Sequence, residues 1–253
     1  MQYNKIKYWL LAFALFMTSA SMLVAQHNVD SLVDLGNDLA SLEDYREASK
    51  TFDRALDIRN DYKPALEGKI RVLLLRKKYN RARKVAENGI DKYPQDPAFP
   101  MYMGQVLVEK DNFEEALTYL NQTIELAEEP DSMMMNKAYV NMGAAYQKLG
   151  NVGMAMENYS KALSVNKSNP NVFLYRGNLY YKQEQFDQAI KDFQRVLKLD
   201  PNNHLAQYNL GMCFFQQGEK RSACDAFHKA CELGNTNACK MVISKCLRSS
   251  ETQ

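Results

Sequence analysis

Apolar residues recur along most of this chain at spacings of three and four, which is the period of an α-helix. Phe173, Gly177 and Tyr180 share one face of a first predicted helix, and Ala189 and Phe193 share one face of a second. The segment KLDPNN ends the second helix, because proline cannot continue it. The pattern therefore predicts pairs of helices joined by short turns.

This two-helix pattern returns every 34 residues. Neighbouring copies match at a glycine, an aromatic, an alanine and a phenylalanine: Gly177, Tyr180, Ala189 and Phe193, then Gly211, Phe214, Ala223 and Phe227. The period predicts six units, with an insert near 128–135 that lengthens one turn. The units are 29–62, 63–96, 97–130, 136–169, 170–203 and 204–237. A fixed period of this length is typical of a helical repeat array.

The repeated positions resemble the tetratricopeptide repeat (TPR) family, whose pattern is Trp-x2-Leu-Gly-x2-Tyr, then Ala-x3-Phe, then Pro. The resemblance covers about 29–237 and implies an all-α TPR solenoid, a right-handed superhelix of about six helix-turn-helix repeats. It also implies a C-terminal capping helix at about 238–248. Three departures stand out: no repeat carries the Trp, Ile70 replaces the glycine of the second unit, and Pro100 predicts a late start for one helix.

The first residues, MQYNKIKYWLLAFALFMTSASMLVAQ, combine two lysines, a short apolar run and small residues before Ala25. This order predicts a signal peptide at 1–25 and a single TPR domain at 26–253, with an uncleaved anchor as the alternative. The apolar run is short for a bilayer span, which needs about 20 residues. Removal of 1–25 leaves as many basic as acidic residues, so nothing favours a nucleic-acid partner.

Four of the five cysteines lie close to the C-terminus. Cys231 ends one predicted helix and Cys239 begins the next, while Cys224 and Cys246 lie seven residues further out. This register predicts the disulfides Cys231–Cys239 and Cys224–Cys246, which an oxidising compartment would favour. A zinc site and a redox centre are weaker alternatives, because the ligand spacings and a Cys-x-x-Cys motif are missing. Cys213 is left over and is expected as a buried thiol, with exchange or intermolecular bonding as alternatives.

The stretch KACELGNTNAC also resembles the bridged, TPR-like repeats of cysteine-rich secreted bacterial proteins. The resemblance implies an exported bacterial TPR protein whose last hairpin is stapled by cysteines.

Catalytic chemistry has no visible basis in the sequence. The histidines, His27, His204 and His228, stand apart, and there is no metal-spaced pair, nucleophile motif or phosphate loop. The run SMMMN could bind copper, but a flexible turn that packs on its neighbours is the favoured interpretation. We therefore expect no enzyme activity, no metal and no cofactor.

The TPR resemblance implies that side chains of the first helices face a concave groove. The predicted peptide- or protein-binding residues are Gln105, Asn141, Leu174, Asn178, Tyr181, Lys182, Leu205, Tyr208, Asn209, Met212 and Phe215. Asn178 and Asn209 occupy places where family members that hold extended peptides often carry asparagine, whose carboxamide both donates and accepts. Gln105 and Asn141 form a similar pair two units earlier.

The family's carboxylate clamp for chaperone tails is incomplete in this chain. Leu174, Cys239 and Ile243 stand where the clamp needs lysines and an arginine. Recognition of a C-terminal carboxylate is therefore not predicted.

The first helix of the sixth unit carries a second apolar stripe at Leu205, Tyr208, Met212 and Phe215. A helix that is apolar on two faces must bury the second face against something else. The capping helix or the neighbouring unit is one candidate, and a bound peptide is the other.

Three functional hypotheses follow. The leading one is a non-catalytic, exported scaffold that binds a protein or an extended peptide in its groove, in the cell envelope of a Gram-negative bacterium. The second is a self-associating structural or assembly component of an envelope complex. The third is a secreted, disulfide-stapled effector that binds host proteins. No small-molecule substrate is expected, and the protein is predicted to be periplasmic, envelope-associated or secreted.

Overall fold

The computed structural model describes residues 28–127 and 132–247, and within these ranges the chain forms helices and turns with no strand. The first helix, α1, occupies 28–41. The following helices are α2 Tyr45–Ile58, α3 Lys63–Leu75, α4 Tyr79–Lys92, α5 Ala98–Glu109, α6 Phe113–Leu126, α7 Ser132–Lys148, α8 Val152–Val165, α9 Pro170–Lys182, α10 Phe186–Leu199, α11 His204–Gln216, α12 Lys220–Glu232 and α13 Thr236–Met241. The predicted signal peptide lies outside the described residues.

The chain divides into two compact units: the first ends at Asn112 and contains α1–α5, and the second begins at Phe113 and contains α6–α13. Within each unit, successive helices from α2 onward pack on each other, and Val29 and Val33 of α1 pack in one cluster with Phe52 of α2. Each predicted repeat corresponds to two successive helices, so the all-helical fold expected from the period is confirmed. The boundaries assigned to the signal peptide and the mature domain stay predictions.

In four repeats an aromatic ring of the second helix lies directly on a glycine of the first. The pairs are Gly36 and Phe52, Gly143 and Tyr159, Gly177 and Phe193, and Gly211 and Phe227. A methyl group at Gly143 would lie 2.5 Å from Cε1 of Tyr159, which is closer than real carbon contacts allow. All four rings are at most 1% exposed, so this contact forms the centre of these four repeats.

The second repeat reverses the two sizes. Ile70 and Ala86 stand one period after Gly36 and Phe52, and both are 0% exposed. The bulky residue has thus moved to the first helix and the small residue to the second. Because the exchange keeps the total volume, the departure at Ile70 leaves the fold intact.

Pro100 does not delay its helix as the sequence suggested. Helix α5 begins at Ala98, and Pro100 is its third residue. The first amides of a helix have no partner within the helix, so the missing N–H of proline costs nothing there. The predicted late start is therefore wrong.

The two helices of each repeat are joined by three-residue turns whose middle residue has a positive φ. This residue is glycine at Gly150 and Gly218, with φ of 77° and 79°, but it is Lys77 at φ 54° and Glu184 at φ 60° elsewhere. The α12–α13 turn follows the same rule, with Gly234 at φ 90°. The α12–α13 hairpin, which carries the cysteines, therefore has the same kind of turn as the two helices within a repeat.

The cap begins earlier and is more irregular than predicted. Helix α13 starts at Thr236, two residues before the expected 238, and continues as a π-helical segment, Val242–Leu247. Its N-cap, Asn235, accepts a hydrogen bond of 3.0 Å from the amide of Ala238 and lies 3.2 Å from Nδ1 of His204. The cap is thus tied to the start of α11. Its predicted end at 248 lies outside the described residues.

Replacement of Gly143 by alanine tests the ring contact. The added methyl group would displace Tyr159, so we expect the free energy of unfolding to fall by about 1–3 kcal/mol. Gly153→Ala is the matched control, because the nearest atom to its added methyl group is 3.9 Å away. That variant should be neutral or gain up to about 1 kcal/mol from helix propensity. Urea denaturation of both proteins measures the difference, and equal effects would contradict the packing argument.

Candidate functional site

The predicted binding residues lie on the first helices of their repeats, but they are divided between the two compact units of the chain. Gln105 is half-buried on α5 in the first unit. Asn141 is half-buried on α7 in the second unit, and its Nδ2 donates to the carbonyl of Lys137 at 2.9 Å. The residues of α9 and α11 all lie in the second unit, so they are treated together as one surface.

Asn178 and Asn209 contact each other across two successive first helices. Nδ2 of Asn209 donates a hydrogen bond of 2.8 Å to Oδ1 of Asn178, and both side chains are half-buried. Within the described residues, Nδ2 of Asn178 and Oδ1 of Asn209 have no further partner. The pair therefore keeps one donor group and one acceptor atom for a ligand, which is the complement of a peptide group.

The end of α9 provides the neighbouring surface. The ring of Tyr181 packs edge-on against Phe186, with centroids 5.7 Å apart, and its hydroxyl accepts a bond of 3.4 Å from Nε2 of Gln216. Lys182 is exposed beside it. Gln216 was missed in the sequence reasoning, although it stands one period after Lys182. The period itself could have identified it.

Leu174 does not belong to this surface. Its side chain is only 9% exposed and packs in the core cluster that includes Phe193 and Leu210. The position four residues before Asn178 faces the neighbouring helices in this repeat. The structure therefore removes Leu174 from the candidate site.

The second apolar stripe of α11 is largely covered by the cap. Tyr208, Met212 and Phe215 are half-buried against the cluster that contains Val242, and Met241 and Cys246 pack on the same cluster. The Tyr208 ring lies 5.9 Å from that of Phe227. Tyr208, Met212 and Phe215, which the sequence predicted as binding residues, therefore pack against the cap.

Leu205 is the exception in this stripe, because it is 48% exposed. The remaining candidate site, here called the amide surface, consists of Asn178, Tyr181, Lys182, Leu205 and Asn209.

A buried ion pair holds α9 against its neighbours. The guanidinium of Arg176 donates to both carboxylate oxygens of Asp192, at 2.8 and 2.9 Å, and to the Ser160 hydroxyl at 3.2 Å. Asp192 is 5% exposed. Its hydrogen bond to Arg176 raises the pKa of the guanidinium. This contact links α8, α9 and α10, and it was missed because Asp192 looks like an ordinary surface charge in the sequence.

The structure joins the cap to α12 through two disulfides. Cys224 and Cys246 have Cα atoms 5.7 Å apart, and those of Cys231 and Cys239 are 4.8 Å apart. These are the pairs expected from the register, while their redox state in the cell stays a prediction. The remaining thiol, Cys213, is 0% exposed on α11, and burial raises its pKa to about 12.

The described residues offer no catalytic constellation. They contain no group of three or more His, Cys, Asp and Glu side chains that could hold a metal ion. His204 lies beside Asn235, and His228 is exposed on α12. In the same part of the chain, no helix has the length and apolar character needed to cross a bilayer. The amide surface can form hydrogen bonds and apolar contacts.

Comparison with known proteins identifies the family. Models described as TPR repeat or tetratricopeptide repeat match the chain at 33–97, 137–169, 177–218 and 205–233. Together these matches cover more than half of the chain. The chain therefore belongs to the tetratricopeptide repeat family.

Curated relatives share only part of their length with this chain. It is 30% identical over 118 residues to the anaphase-promoting complex subunit CDC16 of Saccharomyces cerevisiae, which is 46% of this chain and 14% of that protein. It is 33% identical over 101 residues to small glutamine-rich tetratricopeptide repeat-containing protein 2 of Mycosarcoma maydis, covering 40% of this chain and 28% of that protein. The chain thus spans less than a third of the length of these relatives.

Solved structures support the same fold. The APC/C hetero-tetramer Cut9–Hcn1 matches with a TM-score of 0.74 at 14% identity, over 87% of this chain and 43% of that chain. Pseudomonas aeruginosa pilF matches with a TM-score of 0.70 at 16% identity, over 84% of this chain and 94% of that chain. At these identities the similarity shows the fold alone.

The cysteines yield a direct test. Without reductant, we expect one free thiol per chain, and this thiol should react with a thiol reagent only after unfolding because Cys213 is buried. The Cys224–Cys246 bond closes 22 residues and the Cys231–Cys239 bond closes 8. Replacement of both Cys224 and Cys246 by serine should therefore lower the free energy of unfolding by about 1 kcal/mol more than replacement of both Cys231 and Cys239. Thiol titration and urea denaturation measure both results, and two or more free thiols in the native oxidised protein would contradict the pairing.

Proposed function

We propose that the protein is a non-catalytic scaffold that binds an extended segment of a partner protein at the amide surface. The observation that carries this proposal is the hydrogen-bonded pair of Asn178 and Asn209. Their mutual bond fixes both carboxamides before a ligand arrives, which lowers the entropy cost of binding. An extended backbone offers the donor and acceptor that match the free amide groups.

Side chains around the pair suggest how a segment would be held. Leu205 is a 48% exposed apolar contact, and Tyr181 adds a partly exposed ring. Lys182 is exposed at the end of α9 and favours an acidic or polar residue in the bound segment. Apolar and aromatic anchors of this kind supply most of the affinity at protein interfaces.

The family supports a protein partner as the ligand class. TPR proteins generally mediate contacts between proteins, and CDC16 is by name a subunit of the anaphase-promoting complex. Because the chain spans 14% of CDC16, the identity of that partner does not transfer to this chain.

The proposed location is the cell envelope of a Gram-negative bacterium, after removal of the signal peptide at 1–25. The two disulfides between α12 and the cap support export, because such bonds persist in oxidising compartments. Fractionation of the producing cells tests this location. Recovery of the native protein outside the cell would favour the alternative of a secreted effector.

A second candidate function is self-association. The cap leaves Ile243 60% exposed and Leu247 55% exposed at the C-terminal end of the described chain. Repeat arrays usually end in an element with a polar outer face, so this apolar end could serve assembly of an envelope complex.

Capture from native envelope fractions tests the amide surface. Asn178→Ala combined with Asn209→Ala should weaken partner retention about tenfold, because two backbone hydrogen bonds of about 0.5–1.5 kcal/mol each are lost. The matched control is Gln188→Ala with Gln194→Ala, which removes two exposed carboxamides from α10. Quantitative mass spectrometry compares both variants with the wild type, bait 26–253, and circular dichroism verifies their folding. Equal retention by the two double variants would contradict the proposed site.

Sedimentation of the purified mature chain tests the second candidate. If the scaffold proposal holds, the protein stays monomeric across a wide concentration series. A dimer that disappears in the Ile243→Gln, Leu247→Gln variant would instead support self-association through the cap. Such a result would leave the amide surface to be judged by the capture experiment alone.

A further inference from the structure

The most basic stretch of the chain lies at the turn between α3 and α4. The nine residues RKKYNRARK, 76–84, contain six cationic side chains and no carboxylate. They include the turn residues Lys77 and Lys78 and the first helical turn of α4. This segment is strongly positive, although the basic and acidic residues of the whole chain nearly balance.

A cavity of about 320 Å³ opens beside this turn. It is lined by Lys77, Lys78, Tyr79, Asn80, Arg81 and Lys110. Lys110 comes from the next three-residue turn, one period after Arg76. Two successive turns and the start of α4 therefore bring four cations to one concave surface. All of these residues belong to the first compact unit.

The four cations have no ion-pair partner among the described residues. Lys110 donates to Oδ1 of Asn80 at 2.8 Å, which leaves its charge uncompensated. The nearby carboxylate of Glu109 accepts a bond of 3.0 Å from the Tyr79 hydroxyl.

Backbone donors add to the side chains. Lys78 is the N-cap of α4 and provides no side-chain hydrogen bond. The amides of Tyr79 and Asn80 also have no acceptor within the described part of the chain. Both residues line the cavity, so two N–H groups accompany the four cations.

We propose that this cavity binds a phosphate group, either free or carried on a larger ligand. A phosphate has a charge of about −1.5 to −2 and three acceptor oxygens, so it can use several converging donors at once. A single carboxylate would leave most of the four cations uncompensated. Lysine suits this role as a point charge, and the arginine can donate two bonds to one phosphate.

This binding would be independent of the proposed scaffold function. The cavity lies in the first compact unit, whereas the amide surface lies in the second. The cavity opens at the turns between helices and uses charge, while the amide surface uses hydrogen bonds and apolar contacts. Loss of either site can therefore be detected without loss of the other.

Titration of the ¹⁵N-labelled mature chain by NMR tests the proposal. Inorganic phosphate should shift the amide signals of Tyr79 and Asn80 in a saturable way, and chloride at matched ionic strength should not. The same titration with O-phosphoserine and with serine separates the two sources. Tighter binding of O-phosphoserine than of phosphate would indicate a phosphate carried on a ligand, and equal binding would indicate free phosphate.

Paired variants make the test specific to the cavity. Lys78→Gln with Lys110→Gln removes two lining charges and should weaken phosphate binding about tenfold. Lys84→Gln with Lys92→Gln removes two exposed charges from α4 outside the cavity and should retain most of the affinity. Equal weakening by both pairs would show general charge attraction and overturn the proposal. Absence of a saturable shift in the wild type would also overturn it.

Discussion

In four of the repeats, the contact between an aromatic ring and a glycine determines how closely the two helices approach each other. At Gly36, Gly143, Gly177 and Gly211 there is no room for a single methyl group, because a ring from the second helix occupies that space. In the second repeat, Ile70 and Ala86 together fill about the same volume as the glycine and the ring do in the other four. Since interiors pack at the density of organic crystals, this contact limits how the two helices of such a repeat can be placed.

The regular spacing of the helical hairpins determines where the side chains of the amide surface lie. When successive first helices sit at a constant spacing, residues about one period apart come within bonding distance, as Asn178 and Asn209 do. Arg176 and Asp192 then fix α9 against its neighbours, since a bidentate pair tolerates little movement. The cap covers Tyr208, Met212 and Phe215 of α11, and its two cysteines lie within bonding distance of the two cysteines of α12. The amide surface therefore lies on helices that these contacts hold together.

Features that depend on local rules could be predicted from the sequence. The helical period, the 34-residue repeat and the cysteine register all follow from residue types at fixed spacings, and the asparagine pair was located through the family pattern. Pro100 misled because a first-turn proline and an interior proline look alike in the sequence. The effect of a proline on a helix depends on whether the amide at its position would have a hydrogen-bond partner within the helix.

Features that depend on tertiary packing could not be predicted in this way. Nothing in the sequence shows that Leu174 turns into the core. The sequence offered both the cap and a bound peptide as cover for Tyr208 and Met212, and only the packing of the cap decides between them. The basic cavity requires Lys110 to meet Lys77 and Lys78 across two turns, which only the stacked repeats reveal. Charge in one segment was visible, but its convergence with a distant lysine was not.

The central claim is that the first-helix face of the fifth repeat contacts the partner protein. A photo-crosslinking residue placed at Lys182 on α9 or at Lys191 on α10 tests it directly in the producing cells, because both lysines are exposed in the same repeat. The account predicts a discrete covalent adduct from position 182 and none from 191. Adducts from position 191 alone would contradict it, and would place the interaction on the outer helices.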